Sequence, residues 1–238
     1  MKLDILAIGA HPDDIELSAA GSLLKHIASG YKVGLLDLSQ GELGTRGSAE
    51  LRRQEGEVAR NLLGALSREN VKLADGFFEH NETSIKRIIP FLRSHRPDIV
   101  LANALKDRHP DHGRAAKLTA DACYYSGLQK IISVDSQGQE QSRWRPRAIY
   151  HYIQDFYTDP DIVVDISDHL EKKIDVIKAF RSQFYNPESK DLNTPISGKD
   201  FIEFIKARAR QMGRLIGVEF AEGFISRNAI PVGDLCAL

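Results

Sequence analysis

At 238 residues the chain is long enough to bury one substantial core, and its 42% hydrophobic and 27% charged residues are those of a globular protein, not a disordered or fibrous one. Its 32 Lys plus Arg face 33 Asp plus Glu for a formal net charge of -1, so no basic field marks it for nucleic acid. No apolar run approaches the ~20 residues of a membrane helix, and the N-terminal run is short and interrupted by Asp4. It makes a poor signal peptide, so a cytoplasmic protein without a membrane partner is expected.

The apolar run over 3–9 ends at Gly9 and reads as a buried strand. Behind it, IELSAAGSLLKHIAS places Leu17, Ala20, Leu24 and Ile27 at helical spacing and stops at Gly30, where the strand KVGLLDLS begins. Strand, helix, strand in this order is a βαβ unit, which implies a parallel pair. A Gly-rich loop, QGELGTRG, leads to a helix over 48–63, a short strand VKLAD, a helix over 82–94 and the strand DIVLAN. His109-Pro110-Asp111-His112 opens a further helix, with Pro110 at a tolerated first-turn position. Then RAIYHYIQ and DIVVDIS read as strands, 168–184 and 199–214 as helices, and DSQGQEQSRWRPR and NPESKDLNTPISGKD as polar loops. The alternation predicts one α/β domain over 1–238, a doubly wound, mostly parallel sheet with helices on both faces. Cys123 and Cys236 form no CxxC pair and are expected as reduced thiols.

Such sheets bind ligands outside the carboxyl ends of their strands. The segments AHPDD and HPDH each end a strand there, about a hundred residues apart. Together they offer His11, His109 and His112 with Asp13, Asp14 and Asp111. Adjacent carboxylates repel each other and a proline removes a donor, so AHPDD is an awkward strand end unless a cation compensates it. Two His and one carboxylate with an open position is a hydrolytic zinc arrangement, and the same set suits iron(II). Either cluster alone is also ordinary turn and N-cap chemistry. Its repetition at two strand ends is what points to a site.

AHPDD followed by HPDH, with SQGELGTRG and Arg52-x-x-Glu55 between them, resembles the LmbE-like or PIG-L-like N-acetylglucosamine deacetylases, zinc-dependent hydrolases on a Rossmann-like fold. The late GVEFAEGF segment is similar to the branch that deacetylates N-acetylglucosaminyl malate in bacillithiol biosynthesis. The resemblance implies one Zn2+ per subunit, with Fe2+ or another divalent metal as the alternative, held by His11, Asp14 and His112. It makes Asp13 the general base, and His109 the group that stabilises the oxyanion or protonates the leaving amine. Asp111 would orient His109, or else compensate the helix N-terminus.

The loop GELGTRG lacks the GxxxxGK[ST] spacing of a phosphate loop, and under the resemblance it lines the sugar pocket, Glu42 included. Arg52 would reach a sugar hydroxyl or an anionic group, the alternative being an i,i+3 pair with Glu55. Arg108 is a candidate for a malate carboxylate. His151 fits a satisfied core or edge histidine better than a substrate contact, and Trp144 either stacks on a sugar or packs at a subunit interface. The expected partners are a small sugar conjugate and other copies of the chain in a homo-oligomer. Competing functions are deacetylation of an N-acetylglucosaminide with an inositol or chitooligosaccharide aglycone, a metal-dependent phosphoesterase, and a non-catalytic sugar-binding protein. The presence of Asp13 and of every implied ligand speaks against the last.

Overall fold

A computed structural model describes residues 1–234. In chain order its elements are β1 (Ile5–Gly9), α1 (Asp14–Ala28), β2 (Val33–Ser39), α2 (Ala49–Leu63), β3 (Ser67–Leu73), α3 (Glu82–His95), β4 (Ile99–Ala102), α4 (Pro110–Ser126), β5 (Ala148–Tyr152), β6 (Ile162–Asp165), α5 (Leu170–Lys178), α6 (Phe201–Ile216) and β7 (Ala221–Ser226). β1 and β2 are buried at every residue, which is why they read as mostly apolar runs instead of alternating ones, with the one carboxylate, Asp37 of β2, paired with Arg68. The helices carry their own stops. Ser48 caps α2 by accepting from the Leu51 amide and Gly64 ends it in the left-handed region, while Asn81 caps α3 through the Ser84 amide.

The strands form one sheet in the order β3-β2-β1-β4-β5-β7-β6. All are parallel except β7, which runs antiparallel to both β5 and β6. From β1 the chain winds outward through β2 and β3, then returns to lay β4 on the other side of β1. The crevice between the carboxyl ends of β1 and β4 is therefore the switch point of a doubly wound sheet. Helices cover both faces. Ile5 and Ala7 pack with Ile15 and Leu23 of α1, Leu63 of α2 and Ile177 of α5, while Leu6 and Ile8 pack with Ile88 and Leu92 of α3 and Leu118 of α4. Each buried Leu and Ile among them contributes roughly 1.5–3 kcal/mol, so the strand ends rest on a well-packed platform.

Three expectations change. β3 covers Ser67–Leu73, not 71–75, because its polar first half pairs in register with β2 and Arg68 forks onto Asp37 at 2.8 Å. The helix expected over 168–184 is a 3-10 turn, Ser167–His169, followed by α5, which ends at Lys178. The chain breaks there because Glu55 accepts from both the amide and the hydroxyl of Ser182, and Gln183 donates to the Arg46 carbonyl. β7 was not anticipated, since Glu222 and Gly223 disguise it. Glu222 is buried against Lys173 at 2.6 Å and accepts from the Gly21 and Ser22 amides of α1.

His151 is fully buried, with Nδ1 on the Asn103 carbonyl at 2.8 Å, in keeping with a core histidine. Trp144 donates to the Pro97 carbonyl and lies under Arg96, away from the crevice. Cys123 is buried and unpaired, and burial pushes its thiol up. Cys236 lies outside the described residues. Among the described residues, no helix is long and apolar enough to cross a membrane.

Candidate active site

The strand-end residues converge. Asp14 opens α1 directly under the carboxyl end of β1, and each of its oxygens is addressed from two sides. Oδ2 accepts from the His11 amide and from Asn103 Nδ2, both at 3.0 Å, while Oδ1 lies 3.1 Å from His112 Nε2 and 3.1 Å from Gln154 Nε2. His11 Nδ1 is 3.6 Å from Asp14 Oδ2. Burial works against ionisation of Asp14, but His112 and His11 hold its carboxyl well below the usual carboxylate range.

Both imidazoles are backed by carboxylates on their far nitrogens. His112 Nδ1 meets Asp107 Oδ2 at 2.5 Å. His11 Nε2 meets Asp75 Oδ1 at 3.0 Å and Asp111 Oδ2 at 3.3 Å. Against the cost of burial, these partners raise His11 well above its ordinary value and, with Asp14, raise His112 to about 9. A cluster that favours protons on its imidazoles favours a cation in their place.

Among the described residues two groups bring donor atoms within 4.8 Å of one another, His11 with His109 and His112, and His11 with Asp75 and Asp111, and the Asp14 carboxylate stands beside the first. Two donors about 2.0–2.1 Å from one tetrahedral ion stand about 3.3 Å apart, and the His112–Asp14 and His11–Asp14 separations of 3.1 and 3.6 Å bracket that spacing. The carboxylates behind both rings fix the tautomers that leave His11 Nδ1 and His112 Nε2 free to ligate. His109 also lies close, its ring 4.7 Å from that of His11. Yet His109 Nδ1 accepts the Asp111 amide and so caps α4. A ring that accepts at Nδ1 carries its proton on Nε2 when neutral, which makes that nitrogen a donor in this arrangement. Burial, together with the charge on His11 and His112, lowers its pKa.

Asp13 stands beside this set. It precedes α1 at φ 120°, a strained conformation for a residue with a side chain, and makes no capping bond. Its carboxylate instead meets Arg52 Nη2 at 3.0 Å. Burial raises Asp13 to about 7 even though Arg52 pulls the other way. Arg52 reaches it because Gly41, at φ 66°, leaves room: a Cβ there would lie 2.0 Å from Arg52 Nη1.

Several expected roles are redistributed. Arg52 does not pair with Glu55; it is buried against Asp13 and the Pro12 carbonyl. Asp111 holds His109 through its backbone amide, while its carboxylate backs His11 and accepts from the Gly76 amide and from Arg114. Glu42 is exposed and accepts from the Asp75 and Gln40 amides, tying the Gly-rich loop to the turn after β3. It does not line the cavity of about 250 Å3 over the site, whereas Leu43, Gly44, Arg52 and Arg108 do. Arg108 Nε donates to Asp155 Oδ2 at 2.6 Å. Asp75, Asn103, Asp107 and Gln154 escaped the sequence reading. Each lies within a few residues beyond the carboxyl end of a parallel strand, and that position was the available signal.

Comparison with known proteins gives the family. The family model described as PIG-L, GlcNAc-PI de-N-acetylase, matches residues 6–123. Diacetylchitobiose deacetylase of Thermococcus kodakarensis is 29% identical over 230 residues, covering 92% of this chain and 81% of that protein. 4-Oxalmesaconate hydratase of Pseudomonas putida is 27% identical over 205 residues, covering 75% and 73%. Among solved structures, the conserved protein TT1542 from Thermus thermophilus superposes with a TM-score of 0.85 at 32% identity, covering 97% of this chain and 98% of that one.

Proposed function

We propose that this chain, which belongs to the PIG-L family and is a hydrolytic N-deacetylase, removes the acetyl group from an N-acetylglucosamine conjugate, N-acetyl-α-D-glucosaminyl L-malate of bacillithiol biosynthesis, using Zn2+. The observation that carries the reading is the Asp14 carboxylate set between two imidazoles, each backed by its own carboxylate, with a second, differently partnered aspartate next in sequence.

His11, Asp14 and His112 would hold the metal, which when bound supplies Lewis-acid activation of water and of the amide carbonyl. The chain's own residues do the rest. Asp13 takes a proton from the attacking water as its oxygen bonds to the acetyl carbon. His109, fixed at Nδ1 by the Asp111 amide, presents Nε2–H to the oxygen on which charge develops. Asp13 then returns the proton to the sugar nitrogen as the C–N bond breaks, leaving acetate and a free amine. Arg52 keeps Asp13 oriented through both proton transfers.

The test is acetate release from a panel of N-acetylglucosaminides with malate, inositol or sugar aglycones, using metal-stripped protein restored with zinc or iron(II). Release that follows added zinc and is fastest on the malate conjugate supports the reading. A preference for the chitobiose conjugate would shift the substrate toward that of the Thermococcus relative. Phosphate release from generic phosphoesters, with no acetate release, would replace the reading by the phosphoesterase.

A further inference from the structure

Arg208 rises from α6 into the wall of the same cavity. Its Nη2 donates to the Asp155 carbonyl at 2.5 Å and its guanidinium sits 4.8 Å from the centre of the Phe204 ring. Its Nη1 is buried without a hydrogen-bond partner. A guanidinium stays charged under all ordinary conditions, so a desolvated, unpaired N–H on it is costly unless something else completes it. The neighbouring wall offers the apolar Ile153, Ile196, Phe201 and Ile205, and the carboxylates of Asp155 and Asp107 act on the guanidinium by charge without a side-chain hydrogen bond to it.

A second arginine meets the same anchor. Arg108, on the loop after β4, reaches Asp155 through Nε alone, which leaves its terminal nitrogens uncommitted and its side chain partly exposed at the cavity wall. Asp155 follows β5, and the order β1-β4-β5 puts it two strand spacings from the end of β1. At 4.7–4.9 Å per spacing that is ~10 Å from the reacting groups, a span that a sugar ring and its glycosidic link fill.

We propose that Arg208, with Arg108 beside it, is the specificity determinant that reads a carboxylate on the group attached to the sugar, so that the cavity selects N-acetylglucosaminides with carboxylate-bearing aglycones. The proposal rests on the N-deacetylase reading above. A planar, two-oxygen acceptor matches the guanidinium fork, and the apolar wall keeps water from competing for it.

The experiment compares wild type, Arg208→Met and Arg208→Lys on N-acetylglucosaminyl malate, its dimethyl ester and methyl N-acetylglucosaminide. Wild type is expected to prefer the malate over the ester of nearly the same shape by about 10- to 100-fold in kcat/KM, the difference lying in KM. Arg208→Met, checked for folding by its melting temperature, collapses that ratio toward one, and Arg208→Lys keeps part of it. Equal losses on all three substrates, or a wild type blind to the esterification, overturn the proposal. If no substrate releases acetate, the N-deacetylase reading fails instead. Arg208 is then judged by calorimetry with glucosaminyl malate and its dimethyl ester, where equal wild-type affinities overturn its role.

Discussion

Asp13 and Asp14 are adjacent in sequence and opposite in environment. Asp14 is met by five donors or ring nitrogens and is held ionised, whereas Asp13 is buried beside a single arginine on a strained backbone. Asp13→Asn should therefore keep its metal, measured by elemental analysis of the purified protein, while kcat for acetate release falls about 100- to 10,000-fold. Turnover near wild type would remove Asp13 as the base. Asp107 acts one bond further out, through His112. Asp107→Asn weakens the hydrogen bond that sets the His112 tautomer, and zinc affinity in a competitive-chelator titration should drop about 10- to 100-fold. His112→Ala should lose the metal altogether, and equal affinities for wild type and Asp107→Asn would show that the 2.5 Å contact orients nothing. AHPDD and HPDH were legible because each packs several chemical groups into one short stretch. Asp75, Asp107, Asn103 and Gln154 were not, because each is one polar residue whose role appears only when parallel strands bring their ends together.

At the scale of the element, α1 explains how the site stays in place. Its first turn carries Asp14, and seven and eight residues later its Gly21 and Ser22 amides are gripped by Glu222 of β7, itself paired with Lys173 of α5. Gly21 is also where Ile166 packs closest, leaving 2.6 Å for a Cβ that is not there. Glu222→Ala would strand a buried ammonium and two helix amides, and urea unfolding should show a loss of about 3–5 kcal/mol. Adding Lys173→Met to Glu222→Ala should recover part of it, since the uncompensated charge is gone; a double variant as unstable as the sum of the singles would refute the coupling. The same grip explains why β7 was hidden in the sequence. A glutamate inside a strand reads as exposed until the helix and lysine that neutralise it are known, whereas β1, β2 and β4 are buried apolar runs and were plain from the start.

At the scale of the whole molecule, both motif clusters lie within the first half of the chain, yet that half does not enclose the site. The family match over 6–123 spans β1 to β4 and most of α4. The α5 helix that covers one face of α1, the Gln154 amide on Asp14 and the Tyr152 hydroxyl on the Ile8 carbonyl all come from later residues. Without β5, β4 becomes an exposed edge, and the apolar residues of α1 that meet Ile174 and Ile177 face water. A fragment of residues 1–128 should therefore lack a cooperative urea transition and the near-ultraviolet circular dichroism of a packed core, and it should not take up zinc at one equivalent. The full chain should show the transition and the signal and take up one zinc. The reason is the crossing order of the sheet, in which β4 is flanked by a strand from the start of the chain and by one from well beyond the fragment, β1 and β5. A fragment that folds cooperatively and binds one zinc would show instead that the switch point between β1 and β4 assembles the site alone, with the second half of the chain serving only the substrate.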